Sequence, residues 1–345
     1  MIDNSIQTRK TSPTHAEDSH WHPGEDGLLL DRLRRSLSLP ALPPIASQIL
    51  KMCRDEDADI EKLANLMSQD PAVVARLLQI ANSSYYGGAR HTVGNIAQAI
   101  TLLGMNAVSS LALSFCFYRL CQDMNQAEHV GMDHTKFWRR SIIASIAGRT
   151  LGHWCKLPDP EFVFISALLQ DIGLLAFNEV APEVTRTLIM DAKDNHTQLQ
   201  QFEKQYYGCD HATVGRWVAE LWQLPKEFQV AISASHQPDA GQQGTEEQKT
   251  AIRCVALSGL LADLWCHPTE TEEAVRVAAS AAQEWLELST DDVLAIIDQI
   301  PQGLSEIASF FQVHIGSTAE VEQPLHVAAT ILSSHLTRTT QAEHA

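Results

Sequence analysis

The sequence predicts an all-α fold: many helices in two lobes, with additional helices toward the C-terminal end. Three observations carry this prediction. Apolar residues recur with a helical period from Leu28 onward, strand-type alternation over about four to eight residues is absent, and helix-start and helix-stop residues punctuate the periodic segments. No internal repeat is present.

Residues 1–27 are polar, carry Pro13, Pro23, Gly24 and Gly27, and read as a disordered tail. Its His15, His20 and His22 fit a solvated arm better than a metal clip. Residues 28–125 form the first helical lobe. Ile45, Ile49 and Leu50, then Ile60, Leu63, Ala64 and Met67, give helices with one buried stripe each. Asp70-Pro71 supplies an N-cap carboxylate and a proline suited to the first helical position. The helix it opens is expected to bury Val74, Leu77, Leu78 and Ala81 and to end before Tyr85-Tyr86-Gly87-Gly88. Asn95 caps the next helix, with Ile96, Ala99, Ile100 and Leu103 inside and Gly104 closing it. A broad-faced helix spans 106–120, and the polar stretch 121–134 is the expected junction.

The second lobe, 126–268, has predicted helices at 136–153, 160–177, 181–193, 197–206, 210–222 and 225–235. QPDAGQQGTEEQK, about 237–249, reads as a linker. Further helices fill 250–336, so that 269–345 comprises C-terminal helices and a tail.

Composition narrows the function. The chain has 345 residues, 45% hydrophobic and 19% charged, which allows about two domains and a sizeable core. Disordered and collagen-like classes are excluded. A net charge of −17 offers no basic face for a phosphate backbone, so direct nucleic-acid binding is not expected. Seven scattered cysteines without a CxxC pair read as reduced thiols, and no stretch reads as a signal peptide or membrane span; the expected location is cytoplasmic.

Two regions hold candidate chemistry. In ALLQDIG an apolar helix is interrupted by Gln170-Asp171. A carboxylate there needs a cation, a metal or hydrogen-bond donors, unless it simply ends its helix before Gly173. Downstream lie His211 in the first turn of one helix, His236 at the end of another, where the helix dipole favours a protonated imidazole, and Asp263 in LSGLLADLW. Taken singly, each is an ordinary surface or edge residue. Together they are the donor types that a helical metallohydrolase collects from different helices to polarise a phosphoryl oxygen and activate water.

The stretches LPALPPIASQIL, IEKLANLMSQDPAVVARLLQIANSSYYGG, NIAQAITLLGMNAVSSLAL, FWRRSIIASIAG, ALLQDIGLLAF, HATVGRWVAELWQLP and AISASHQP closely resemble the HDOD domain. That domain is a helical relative of the HD-type metal-dependent phosphohydrolases, including the HD-GYP phosphodiesterases. The match runs from about residue 33 to 238, and more loosely to Asp263. The resemblance implies a degenerate HD site. Arg140 stands where active enzymes place an early His, and Gln170 replaces the His of the His-Asp pair. Asp171, His211, His236 and Asp263 match the remaining positions, with Ser235 where a second His is common.

Glutamine is a weak ligand for a transition metal, and arginine has no lone pair to offer. A guanidinium about 4 Å from a carboxylate gains roughly 4 kcal/mol before desolvation at an effective dielectric of about 20. Arg140, or its neighbour Arg139, is therefore expected to hold Asp171 without a metal.

The resemblance implies a non-catalytic regulatory module of bacterial signalling, acting through signalling protein partners, with no catalytic residue and no cofactor. Such domains occur alone or attached to receiver, GGDEF or EAL domains, whose motifs this chain lacks. Two alternatives stand beside it. One is a phosphohydrolase or phosphodiesterase with a reduced divalent-metal site on Asp171, His211, His236 and Asp263. The other is a pocket sensing a nucleotide second messenger through Arg139, Arg140 and the two histidines. No membrane partner is expected.

Overall fold

Helix α6, His134–Trp154, organises the molecule because it has almost no face fit for water. Apolar and small residues from Phe137 to Gly152 surround its axis and bury it. The computed structural model describes residues 41–53, 59–86, 92–123, 131–193, 195–239, 244–266 and 271–343. The predicted tail 1–27 with its three histidines, and Gly87-Gly88, lie outside the described residues. Among the described residues the chain is helical, without strands.

The first lobe comprises α1 (Pro44–Met52), α2 (Ile60–Met67), α3 (Pro71–Ala81), α4 (Ile96–Leu103) and α5 (Met105–Asp123). The predicted caps are in place. Asp70 accepts from the backbone N–H groups of Ala72 and Val73, Asn95 accepts from that of Gln98, and Gly104 ends α4 at φ +90°. The buried stripe of α3 is rotated from the predicted one: Val73, Leu77, Ile80 and Ala81 are inside, while Val74 and Leu78 are half-buried. Ile60, predicted inside, is exposed. Helix α5 runs three residues past the predicted end, into the expected junction.

The second lobe continues with α7 (Pro160–Leu169), α8 (Ile172–Val180), α9 (Pro182–Asp191), α10 (His196–Tyr207), α11 (His211–Leu221) and α12 (Lys226–Ser233). The single helix predicted over 160–177 is two, broken at Gln170-Asp171. Residues 160–180 have the length and hydropathy of a membrane span, contrary to the sequence reading, but 83% of the most apolar window is buried within the protein. Gly173 sets the crossing of α8 on α11: a Cβ there would sit 2.0 Å from the His211 carbonyl oxygen.

Helices α13 (Glu246–Cys266), α14 (Thr271–Leu286), α15 (Thr290–Phe311) and α16 (Thr318–Glu343) complete the chain. The predicted linker turns helical at Glu246. Thr245 Oγ1 accepts from the Gln248 N–H while Gln248 Oε1 accepts from the Thr245 N–H, a reciprocal cap that the polar composition concealed. Helices α7, α13 and α15 all pack on α6.

Arg149 of α6 joins the lobes. Its buried guanidinium donates to the hydroxyls of Tyr85 and Tyr86 and lies 3.7 Å from Glu161 of α7. Helix α3 in turn docks on α15, where the Gln79 amide donates to Ser309 Oγ at 3.0 Å and Ser84 Oγ donates to Glu306 at 2.6 Å.

Candidate functional site

The break between α7 and α8 creates the site. Asp171 occupies the N-cap position of α8 but makes no capping hydrogen bond. Its carboxylate is buried, and Oδ2 accepts a hydrogen bond from Nη1 of Arg140. Arg140 comes from α6 and is buried too. Its Nε donates to Asp263 Oδ1 at 2.8 Å and its Nη2 to the Gly259 carbonyl at 3.2 Å, both on α13. One guanidinium thus bridges two carboxylates.

Burial by itself would lower the Arg140 pKa, but Asp171 and Asp263 reverse this and raise it. Burial would likewise raise Asp171, yet Arg140 and then His196 hold its carboxyl well below the usual range. The Gln170 amide donates to the Ala167 carbonyl at 3.1 Å, and its Oε1 meets no donor among the described residues. A Cβ at Gly259 would come within 2.8 Å of that oxygen and 3.3 Å of Arg140 Nη2, so the close helix approach requires glycine.

The other Asp171 oxygen faces imidazoles. Oδ1 lies 3.3 Å from His196 Nε2 and 3.5 Å from His211 Nε2, with no hydrogen bond of its own among the described residues. His211 is fully buried rather than a surface residue. Its backbone N–H donates to Glu203 Oε2 at 2.9 Å, and its Nδ1 lies 2.6 Å from the same oxygen, which fixes the ring. His211 Nε2 then meets His236 Nε2 at 2.6 Å.

One proton must lie between those two nitrogens. Burial lowers the His211 pKa, but Glu203 and Asp171 overcome it and raise it to about 10. Burial, then the charge of His211, hold His236 well below its ordinary value, so it stands as a neutral acceptor even at the end of its helix. His211 donates to Glu203 on one side and to His236 on the other.

These donors fit one metal ion. A ligand atom from each of Asp171, His196, His211 and His236 lies within 4.8 Å of the others. Ligands about 2.1 Å from a tetrahedral ion are about 3.4 Å apart, close to the 3.3 Å and 3.5 Å separations around Asp171 Oδ1. The 2.6 Å contact would open once its shared proton left. A second ion beside Asp171 Oδ2 does not fit. A divalent charge about 4 Å from the guanidinium would be repelled by roughly 8 kcal/mol at an effective dielectric of about 20.

Asp263, expected as a ligand if a metal binds, is instead taken by Arg140. His196, which sequence reasoning did not single out, completes the donor set. The available signal was local: Asn195-His196 opens α10 as Asp210-His211 opens α11, each an Asx cap followed by a histidine at the first helical position.

Two openings reach these residues. A cavity of about 640 Å³, walled by Lys136, Arg139, Trp265 and Glu320, borders Arg140, Asp171 and His196. A smaller one of about 70 Å³ meets Arg140, Gln170 and His236.

The helical frame and the buried arginine–carboxylate–imidazole cluster at a helix break together define the class: an all-α protein built around a polar centre. A family model for the HDOD domain matches residues 39–238, and the chain belongs to the HDOD family. The fold is similar to an HDOD domain protein of unknown function from Geobacter sulfurreducens, with TM-score 0.65 and 20% identity over 84% of this chain and 99% of that one. It is also similar to a protein from Shewanella amazonensis SB2B provisionally named a phosphohydrolase (TM-score 0.56, 20% identity, 88% of this chain and 97% of that one). An uncharacterized protein of Treponema pallidum (strain Nichols) is 23% identical over 227 residues, 64% of this chain. The chain spans only 42% of the length of that curated relative.

Proposed function

We propose that this chain is a non-catalytic regulatory module of bacterial signal transduction that works through contacts with signalling proteins, its inherited hydrolase centre serving as an internal brace. The observation that carries this reading is the Arg140 guanidinium between Asp171 and Asp263. Hydrolysis by a two-metal centre needs a second cation with exchangeable water, and a guanidinium offers neither a lone pair nor a labile ligand. A single ion on Asp171 and three histidines would meet four protein ligands, the closed shell of a structural site rather than an open catalytic one.

The test combines elemental analysis of the purified full chain with hydrolysis assays on cyclic dinucleotides and phosphomonoesters in Mn²⁺. The expected result is at most one ion per chain and no turnover. Turnover that disappears in D171A would overturn the reading. The orphaned Asp171 Oδ1 and its three imidazoles favour one second reading, a resident divalent ion without catalysis. Stoichiometric Zn²⁺ lost in D171A and H196A, with no turnover in the parent, would establish it.

A further inference from the structure

Helices α6 and α13 meet again away from the histidine centre. Cys155, which closes α6, and Cys254, within α13, place their sulfurs 3.8 Å apart, and both are thiols. We propose that Cys155 and Cys254 form a peroxide-responsive dithiol that closes to a disulfide and fastens α6 to α13.

The geometry asks little of the fold. A disulfide of about 2.05 Å requires the sulfurs to approach by less than about 2 Å. Cys155 sits at the last turn of α6, just before Lys156 at φ +55°, where backbone adjustment disturbs no helix interior. The two thiols are also unequal. Cys155 is half-buried and reachable by a small oxidant, whereas Cys254 is fully buried. The Cys254 S–H donates to Cys155 Sγ. That hydrogen bond lowers the Cys155 pKa against the opposing effect of burial, and raises that of Cys254.

The chemistry balances with hydrogen peroxide as oxidant. The Cys155 thiolate attacks one peroxide oxygen; the S–O bond forms, the O–O bond breaks, and hydroxide leaves to take up a proton as water. Cys254 sulfur then attacks the Cys155 sulfenic acid. The S–S bond forms, the S–O bond breaks, and the Cys254 proton leaves with hydroxide as a second water. Two thiols and one peroxide give one disulfide and two waters.

The bond would close a loop of 99 positions that holds Asp171, His196, His211 and His236, on the same two helices that Arg140 and Asp263 join. This proposal stands whatever the centre binds.

The experiment treats the full chain with a few equivalents of hydrogen peroxide, blocks remaining thiols, and maps the unreduced digest by mass spectrometry. The expected product is the Cys155–Cys254 linked peptide, with five free thiols left of the seven. The loop closure should raise Tm by about 6 °C, reversed by dithiothreitol. In C254S, a dimedone adduct should appear on Cys155; in C155S, neither adduct nor link. An unlinked, unmodified Cys155 at doses that oxidise exposed Cys53, or linkage through other cysteines, would overturn the proposal.

Discussion

Replacing Arg140 with methionine keeps an unbranched apolar stem while deleting the charge that two buried carboxylates share. The substitution leaves Asp171 and Asp263 without their common partner and the Gly259 carbonyl without its donor. Removing one member of a buried ion pair costs about 3–5 kcal/mol. With an unfolding entropy of about 2.1 cal/mol/K per residue, a loss of about 4 kcal/mol lowers Tm by roughly 5 °C in a chain this long. The pH dependence is diagnostic. The depressed Asp171 pKa adds stability that is complete above the unfolded value of about 3.9 and lost as pH falls through the folded one. Losing Arg140 removes the largest influence that opposes burial and so moves that carboxyl's pKa upward, which lets protonation relieve the variant as pH falls. Thermal melts followed by circular dichroism at pH 7 and pH 5 should show a large gap at pH 7 that narrows at pH 5. A variant within about 1 °C of the parent, or a gap indifferent to pH, would refute the bracing role.

Other substitutions probe the frame around the centre. G173A drives a methyl into the His211 carbonyl and the Gly215 N–H, and chemical denaturation should report a loss of about 3 kcal/mol; an unshifted midpoint would contradict the close crossing. R149M strips two tyrosine hydroxyls of a charged donor, and the same measurement should show a loss of about 3 kcal/mol. The double variant R140H/Q170H exchanges the fixed cation for imidazoles, so metal titration should rise from at most one to two Mn²⁺ per chain; unchanged stoichiometry would mean that charge at Arg140 is not what excludes the second ion.

Local chemistry was the most legible part of the sequence. Asp70-Pro71 and Asn95 start helices because their side chains satisfy backbone donors within three residues, which needs no knowledge of the rest of the fold. The inward face of α3 was less legible: Val73 and Val74 are equally apolar, and only the packing decides which is buried. At the centre, the pairing of Arg140 with Asp171 followed from the family resemblance, which set a guanidinium at a cation position, together with the attraction of opposite charges. The allocation of Asp263 to Arg140, and of His196 to the imidazole cluster, depends on how α13 and α10 cross the break at Asp171, a long-range property that spacing does not encode. Cys155 and Cys254 were unreadable as a pair for the same reason.

The Arg149 cluster bears on how the molecule comes apart. Tyr85 and Tyr86 lie in the turn that follows the first lobe's third helix, Glu161 belongs to the second lobe, and α3 is pinned to α15 near the far end of the chain. Severing the polypeptide near residue 125 would strand a charged donor on one piece and its phenolic acceptors on the other. The boundary is a seam of shared side chains rather than a hinge, and calorimetry should record one endotherm where separable modules would give two.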